Sequence, residues 1–159
     1  MAQYNEINEA YSKIALSAPD REERQNSRII HLRTFNNWVK SYLIDMYTPM
    51  PNACIFDCAC GRGGDLQKWS LKNQSSFLFA DVARQAIGKL YQRLSTGRNK
   101  NCDATFIIGD SYSHDIAELL AQHSNEVKTF QIASCQFAFH YAFIDEKQLV
   151  KQHIICVVN

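Results

Sequence analysis

An apolar run closes on a glycine-rich turn, Ile55-Phe56-Asp57-Cys58-Ala59-Cys60-Gly61-Arg62-Gly63-Gly64-Asp65, and a second apolar run, Phe77-Leu78-Phe79-Ala80, ends on Asp81, twenty residues after Gly61. That order implies strand, tight turn, helix and strand. Glycines allow a ligand to lie close against the backbone, and a carboxylate at the next strand end can accept both hydroxyls of a ribose. The turn is not a phosphate loop, because no Gly-Lys-Ser/Thr follows it. It also lacks G-x-G-x-x-G, and Asp65 would put a negative charge where a pyrophosphate sits at a helix N-terminus. The pattern suits a nucleoside-bearing ligand without phosphates.

Downstream of Pro49 and Pro51, short apolar runs alternate with amphipathic segments. The spacing predicts strands near 54–57, 76–80, 105–109 and 129–135, and helices over 65–72, 83–95, 114–122 and 145–151. Upstream, Leu32, Phe35, Val39, Leu43 and Met46 recur at helical spacing, so a helix is expected from about Asn26 to Tyr47 with that stripe packed inward. Asn36, Arg33, Asn37 and Lys40 form a second, polar stripe roughly a quarter turn away. The alternation predicts an α/β fold, a parallel sheet with helices on both faces. Ligands of such sheets bind beyond the carboxyl ends of the strands. Four of the expected strands end on site-like residues: Asp57 with its turn, Asp81, Asp110, and Gln136 with His140 and Tyr141.

Composition narrows the function classes. A chain of 159 residues, 46% hydrophobic, can bury one core and is expected to form one domain. The formal net charge of +1 disfavours a protein that holds nucleic acid by a global positive field, so any RNA contact has to be local. Arg21 to Lys40 carries a balance of +3: Arg21, Arg24, Arg28, Arg33 and Lys40 against Glu22 and Glu23. A solvated helix face explains this equally well. Neither a signal-peptide pattern nor a membrane-length apolar stretch is present, so a soluble intracellular protein without membrane contact is expected. The six cysteines are scattered through apolar runs and are read as reduced, buried thiols; Cys54, Cys58 and Cys60 lack a second CxxC or a histidine pair, and no metal is expected.

Three blocks carry a specific resemblance. Phe35-Asn36-Asn37-Trp38-Val39-Lys40-Ser41, then Asp57-x-x-Cys60-Gly61-Arg62-Gly63-Gly64-Asp65-Leu66-x-Lys68-Trp69, then Ser134-Cys135-Gln136-Phe137-x-x-His140-Tyr141 resemble, in this order, the eukaryotic mRNA cap guanine-N7 methyltransferases. Ser27-Arg28-Ile29 and Leu32-Arg33 extend the first block, and the likeness runs from about Tyr4 to Gln152. It implies a Rossmann-like class I fold that binds S-adenosylmethionine and transfers its methyl group to N7 of the guanosine cap of pre-mRNA. Carried over by position, it implies that Lys40, the turn from Ala59 to Gly61, Asp81, Asp110, Gln136 and Tyr141 contact the cofactor. It likewise implies that Asn36, Asn37, Arg62, Lys68, Arg93 and His140 face the capped RNA. Trp38 and Trp69 are left as packing residues. No catalytic acid or base is expected: guanine N7 already offers a lone pair and a sulfonium is already a good leaving group, so positioning and electrostatics suffice. The resemblance also implies a nuclear location and admits other capping proteins as partners.

The chain departs from the family pattern in three places. Ala59 stands where the family normally has a glycine; its methyl would intrude between backbone and cofactor, and alanine disfavours positive φ. Arg62 replaces a commoner lysine, keeping the charge and changing its geometry. From His153 to Asn159 the sequence no longer resembles the family's continuation, and the C-terminal strands of the fold are expected to be missing. The expected organisation is therefore an N-terminal arm over 1–25, a partial methyltransferase domain over 26–152 and a divergent tail over 153–159. That tail is apolar and β-branched enough for a fifth strand. A truncated, non-catalytic fragment that binds S-adenosylmethionine or RNA is the alternative reading.

Overall fold

The computed structural model describes residues 9–10, 12–13, 25–48, 50–74, 76–97, 102–112, 118 and 129–143. The elements are α1 (Ile30–Tyr47), β1 (Cys54–Asp57), α2 (Leu66–Leu71), β2 (Ser76–Asp81), α3 (Arg84–Thr96), β3 (Asp103–Ile108), β4 (Ile132–Ser134) and a 3-10 turn over Phe139–Phe143. Glu118 is helical, within the helix expected over 114–122; the rest of that helix, the helix expected over 145–151, most of the arm over 1–25 and the tail over 153–159 lie outside the described residues.

The four strands form one parallel sheet in the order β3-β2-β1-β4. The chain builds outward from β1 through β2 to β3, then returns to place β4 on the other side of β1. The strand order therefore reverses between β1 and β4, where open α/β sheets form their ligand crevice. Central β2 is covered on both faces, so Phe77, Leu78, Phe79 and Ala80 are all buried and the strand reads as an unbroken apolar run.

Alternation along the strands separates two cores. One face carries Ile55, Phe77 and Phe79 against Leu66 and Trp69 of α2 and Ile87, Leu90 and Leu94 of α3. The other carries Phe56, Cys58, Leu78 and Ala80, with Ile107, Phe130 and Cys135 packed on them. Each fully buried large side chain contributes about 1.5–3 kcal/mol.

Two expectations need correction. The first concerns α1. The stripe read as its core-facing side is largely outward: Leu32, Phe35 and Met46 are exposed, as is Trp38, while Val39 and Leu43 are half-buried. The buried residue is Ile44, roughly 140° round the helical wheel from the centre of that stripe. In this rotation two ion pairs, Lys40 with Asp65 at 2.9 Å and Asp45 with Lys72 at 2.7 Å, tie α1 to the α2 region. The exposed rings partly cover one another, with Phe35 and Trp38 stacked at 6.1 Å and Trp38 and Tyr42 at 5.7 Å. The second is β4, which spans three residues rather than the expected seven over 129–135. The register begins at Ile132; just before it the Gln131 N–H donates to the Cys54 carbonyl at 3.1 Å, while the Cys54 N–H goes to the Gln131 side-chain Oε1 at 2.7 Å instead of to a backbone carbonyl.

Candidate functional site

The carboxyl ends of the strands bring the glycine turn and Asp81 together. Asp81 Oδ2 accepts the Gly61 N–H at 2.8 Å, and its Oδ1 accepts the Ala83 N–H at 2.8 Å. One carboxylate thus fixes the turn after β1 and the start of α3. Burial pushes the Asp81 carboxyl above its ordinary range, and the N–H bonds from Ala83 and Gly61 pull it back. Gly61 (φ +53°) and Gly63 (φ +70°) hold left-handed conformations that other residues adopt only under strain. Their surroundings differ. A methyl at Gly63 would meet Leu90 Cδ1 at 2.4 Å and Leu66 Cδ1 at 2.9 Å, whereas one at Gly61 or Gly64 would meet nothing within 4 Å. Gly63 therefore lets the turn pack on the core, and Gly61 and Gly64 face open space.

Ala59 is half-buried and does not have positive φ. Alanine is therefore unstrained there, because the left-handed positions in this turn are 61 and 63.

A charged cluster lies on the α1 side of the same crevice. Asp65 stands at the N-cap of α2, with Lys40 Nζ on Oδ2 at 2.9 Å and Lys68 Nζ on Oδ1 at 2.8 Å. Asp65 is buried, and Lys68 is turned inward to it with 11% of its side chain exposed. Asp57, at the end of β1, is also buried. Its carboxyl is raised from 3.8 to about 7, first by burial and then by the neighbouring Asp65 charge, with the Lys40 ammonium acting in the opposite sense. Ser134, paired in register with Asp57, buries an Oγ without a hydrogen-bond partner. Lys40 Nζ also lies 5.8 Å from the centroid of the Phe137 ring, whose backbone is left-handed (φ +60°).

The other sequence-derived residues are distributed around this centre. Asp110, just past β3, accepts the Tyr112 N–H at 2.9 Å. Gln136 is half-buried just past β4, while His140 and Tyr141 lie outward on the 3-10 turn with ring centroids 4.0 Å apart. Asn36, half-buried, and Asn37, exposed, sit on α1 in the turn before Lys40. Arg93 of α3 reaches back to the glycine turn, its Nη1 donating to the Arg62 carbonyl at 2.7 Å and the Gly63 carbonyl at 3.4 Å.

Several residues at these strand ends escaped the sequence reading. Asp57 reads in the sequence as a strand-end site residue and Asp65 as a negative charge beside the turn, but nothing in the sequence says that Lys40 and Lys68 converge on Asp65. Ser111, buried, donates to the Cys58 carbonyl at 2.8 Å and ties the end of β3 to the end of β1. Tyr112 Oη and Cys135 Sγ are 2.8 Å apart. These contacts cross more than fifty and more than twenty positions respectively, beyond any local pattern. Among the described residues, no group of three or more His, Cys, Asp or Glu is placed to hold a metal ion.

The arrangement fits a nucleoside cofactor bearing an amino acid. With two of its roughly four lone-pair positions used by Gly61 and Ala83, Asp81 retains acceptors for a ribose diol. The open side of Gly61 and Gly64 admits close approach, and Lys40 with its partner Asp65 offers both signs of charge to a zwitterionic group.

Comparison with known proteins agrees. Residues 2–156 match the family model described as the mRNA (guanine-N(7))-methyltransferase domain. The chain is similar to mRNA cap guanine-N(7) methyltransferase 1 of Oryza sativa subsp. japonica, 38% identical over 131 residues that cover 79% of this chain and 34% of that protein. It is also similar to the mRNA cap guanine-N(7) methyltransferase of Schizosaccharomyces pombe, 35% identical over 131 residues, 80% of this chain and 35% of that protein. The chain spans about a third of the length of these curated relatives. Among solved structures, magnesium protoporphyrin IX methyltransferase from Synechocystis PCC 6803, solved with bound S-adenosylmethionine, superposes with a TM-score of 0.52 at 11% identity, over 70% of this chain and 56% of that one. That likeness concerns the fold alone.

Proposed function

The chain belongs to the mRNA (guanine-N(7))-methyltransferase family, and from that premise we propose that it acts in methylation of N7 of the guanosine cap of pre-mRNA, with S-adenosylmethionine as methyl donor. The observation that supports this most is the Asp81 carboxylate held against the Gly61 turn, beside the Lys40–Asp65–Lys68 cluster, at the end of the sheet where the strand order reverses. When bound, the cofactor supplies an electrophilic methyl on a sulfonium, and the rest is positioning. Asp81 holds the ribose, Lys40 pairs with the amino acid carboxylate, and Gln136 and Tyr141 flank the cofactor from the β4 side. Asn36, Asn37, Arg62, Arg93 and His140 face the cap. Lys68 acts on that side as well, or through its hold on Asp65. Nothing in this scheme requires a general base, because the nucleophilic nitrogen carries no proton. The family reading extends to a nuclear location and to contacts with other capping proteins.

The test is transfer of labelled methyl from S-adenosylmethionine to GpppG-capped RNA by the purified chain, with Asp81→Ala as control. Incorporation that requires the cap and is lost in the variant supports the proposal. Folded protein that binds the donor and transfers nothing supports the binding-only alternative.

A further inference from the structure

The last register pair of β1 and β4 is Asp57 with Ser134, so the next residues on each strand, Cys58 and Cys135, stand side by side at the point where the strand order reverses. Both belong to the same apolar cluster with Phe56, Leu78 and Ala80 and therefore lie on one face of the sheet. The Cys58 N–H donates to the Ser134 carbonyl at 2.9 Å, and Cys58 Sγ lies 2.9 Å from that same oxygen, immediately beside Cys135. Parallel neighbours are about 4.8 Å apart, inside the roughly 4.4–6.8 Å Cα separation that a disulfide spans. Cys135 is half-buried with the Tyr112 hydroxyl at 2.8 Å, whereas Cys58 is buried. Cys54, Cys60 and Cys102, the other described cysteines, have no such strand neighbour; Cys54 pairs in register with Ser76.

We propose that Cys135 and Cys58 form a hydroperoxide-reactive dithiol site, in which Cys135 is the attacked sulfur and Cys58 the resolving one, and that oxidation bridges β1 to β4 across the crevice.

The steps balance. The Cys135 thiolate attacks one peroxide oxygen and the O–O bond breaks. Hydroxide leaves, takes up the proton that the Cys135 thiol released and becomes water, while Cys135 becomes a sulfenic acid. Cys58 sulfur then displaces that hydroxyl, which departs with the Cys58 proton as a second water. Two thiols lose two electrons in total, and one hydroperoxide is reduced. Electrostatics favour this direction of attack. Hydrogen bonds from Cys58 and Tyr112 lower the Cys135 thiol below its ordinary range despite partial burial. The hydrogen bond to Cys135, together with burial, raises Cys58, so the less buried member of the pair is the one that ionises more readily. Cys58 has two acceptors in reach, the Ser134 carbonyl and the Cys135 sulfur, and turning its S–H from the first to the second places a donor on the Cys135 thiolate.

The experiment treats the reduced, folded chain with hydrogen peroxide at neutral pH. Non-reducing peptide mapping then locates any bridge, and a cyclic 1,3-diketone traps sulfenic acid. Expected are a peptide joining Cys58 to Cys135 that dithiothreitol resolves, and at least fivefold more trapped sulfenate on Cys135 in Cys58→Ala than in the unmodified protein. A reduced Cys135 under conditions that oxidise Cys54 or Cys102, a bridge between other cysteines, or equal trapping with and without Cys58 would overturn the proposal. The peptide map of the unmodified chain decides even if the variant does not fold, and it needs neither cofactor nor RNA.

Discussion

Replacing Asp57 by asparagine should make the protein's stability respond differently to pH, and the size of the effect follows from the site. The Asp57 carboxyl sits near 3.8 when exposed and about 7 in the fold, chiefly because it is buried and secondly because Asp65 is close. Between those values the folded chain keeps a proton that the unfolded chain has released. Stability therefore falls as pH rises through this window, by about 1.4 kcal/mol per pH unit where the difference is a full proton. From pH 5 to pH 8 this single group costs about 2–3 kcal/mol, a large fraction of the roughly 5–15 kcal/mol of a typical domain. Asparagine keeps the volume and an acceptor for the Ala59 N–H but has no charge to bury. Urea unfolding of both proteins at pH 5 and pH 8 reads the difference. The stability of Asp57→Asn relative to the parent should rise by about 2–3 kcal/mol between the two pH values, other carboxylates cancelling in the comparison. A pH-independent gap would refute the argument, because it would mean that Asp57 is ionised in the fold and held by Lys40.

Other substitutions probe the turn and its cluster. Gly63→Ala forces a methyl onto Leu90 and Leu66 at positive φ and should cost about 2–4 kcal/mol, seen as a melting temperature lowered by several degrees; Gly61→Ala, facing open space, should cost only about 1 kcal/mol. Lys40→Ala leaves Asp65 paired with Lys68, so the fold should change by less than about 1 kcal/mol in thermal unfolding while S-adenosylmethionine affinity falls at least tenfold by calorimetry. Ala59→Gly, at a position without positive φ, should change cofactor affinity less than threefold in the same titration.

Much of the fold was legible because the parallel strands announce themselves: β1, β2 and α3 fall within a residue or so of the segments read from apolar runs and helical spacing. The glycine turn and Asp81 were legible for the same reason, since the turn and the next strand end lie within one βαβ unit. What the sequence hid is what depends on rotation and on distant pairing. The exposed side of α1 carries more apolar surface than its buried side, so hydrophobic spacing pointed to the wrong face; the contacts that accompany the observed rotation, from Lys40 and Asp45, reach partners 25 and 27 residues away. Neighbouring sulfurs at 58 and 135 were invisible until β4 was placed beside β1 rather than beside β3.

The central claim is that the ends of these strands form a site for the nucleoside and amino acid of S-adenosylmethionine, anchored by Asp81. Calorimetric titration with S-adenosylhomocysteine, on the unmodified chain and on Asp81→Ala verified as folded by circular dichroism, tests it most directly. The account predicts one-to-one binding in the unmodified chain that weakens at least a hundredfold in the variant. Absence of binding by the folded chain, or equal affinity in the two proteins, would contradict it.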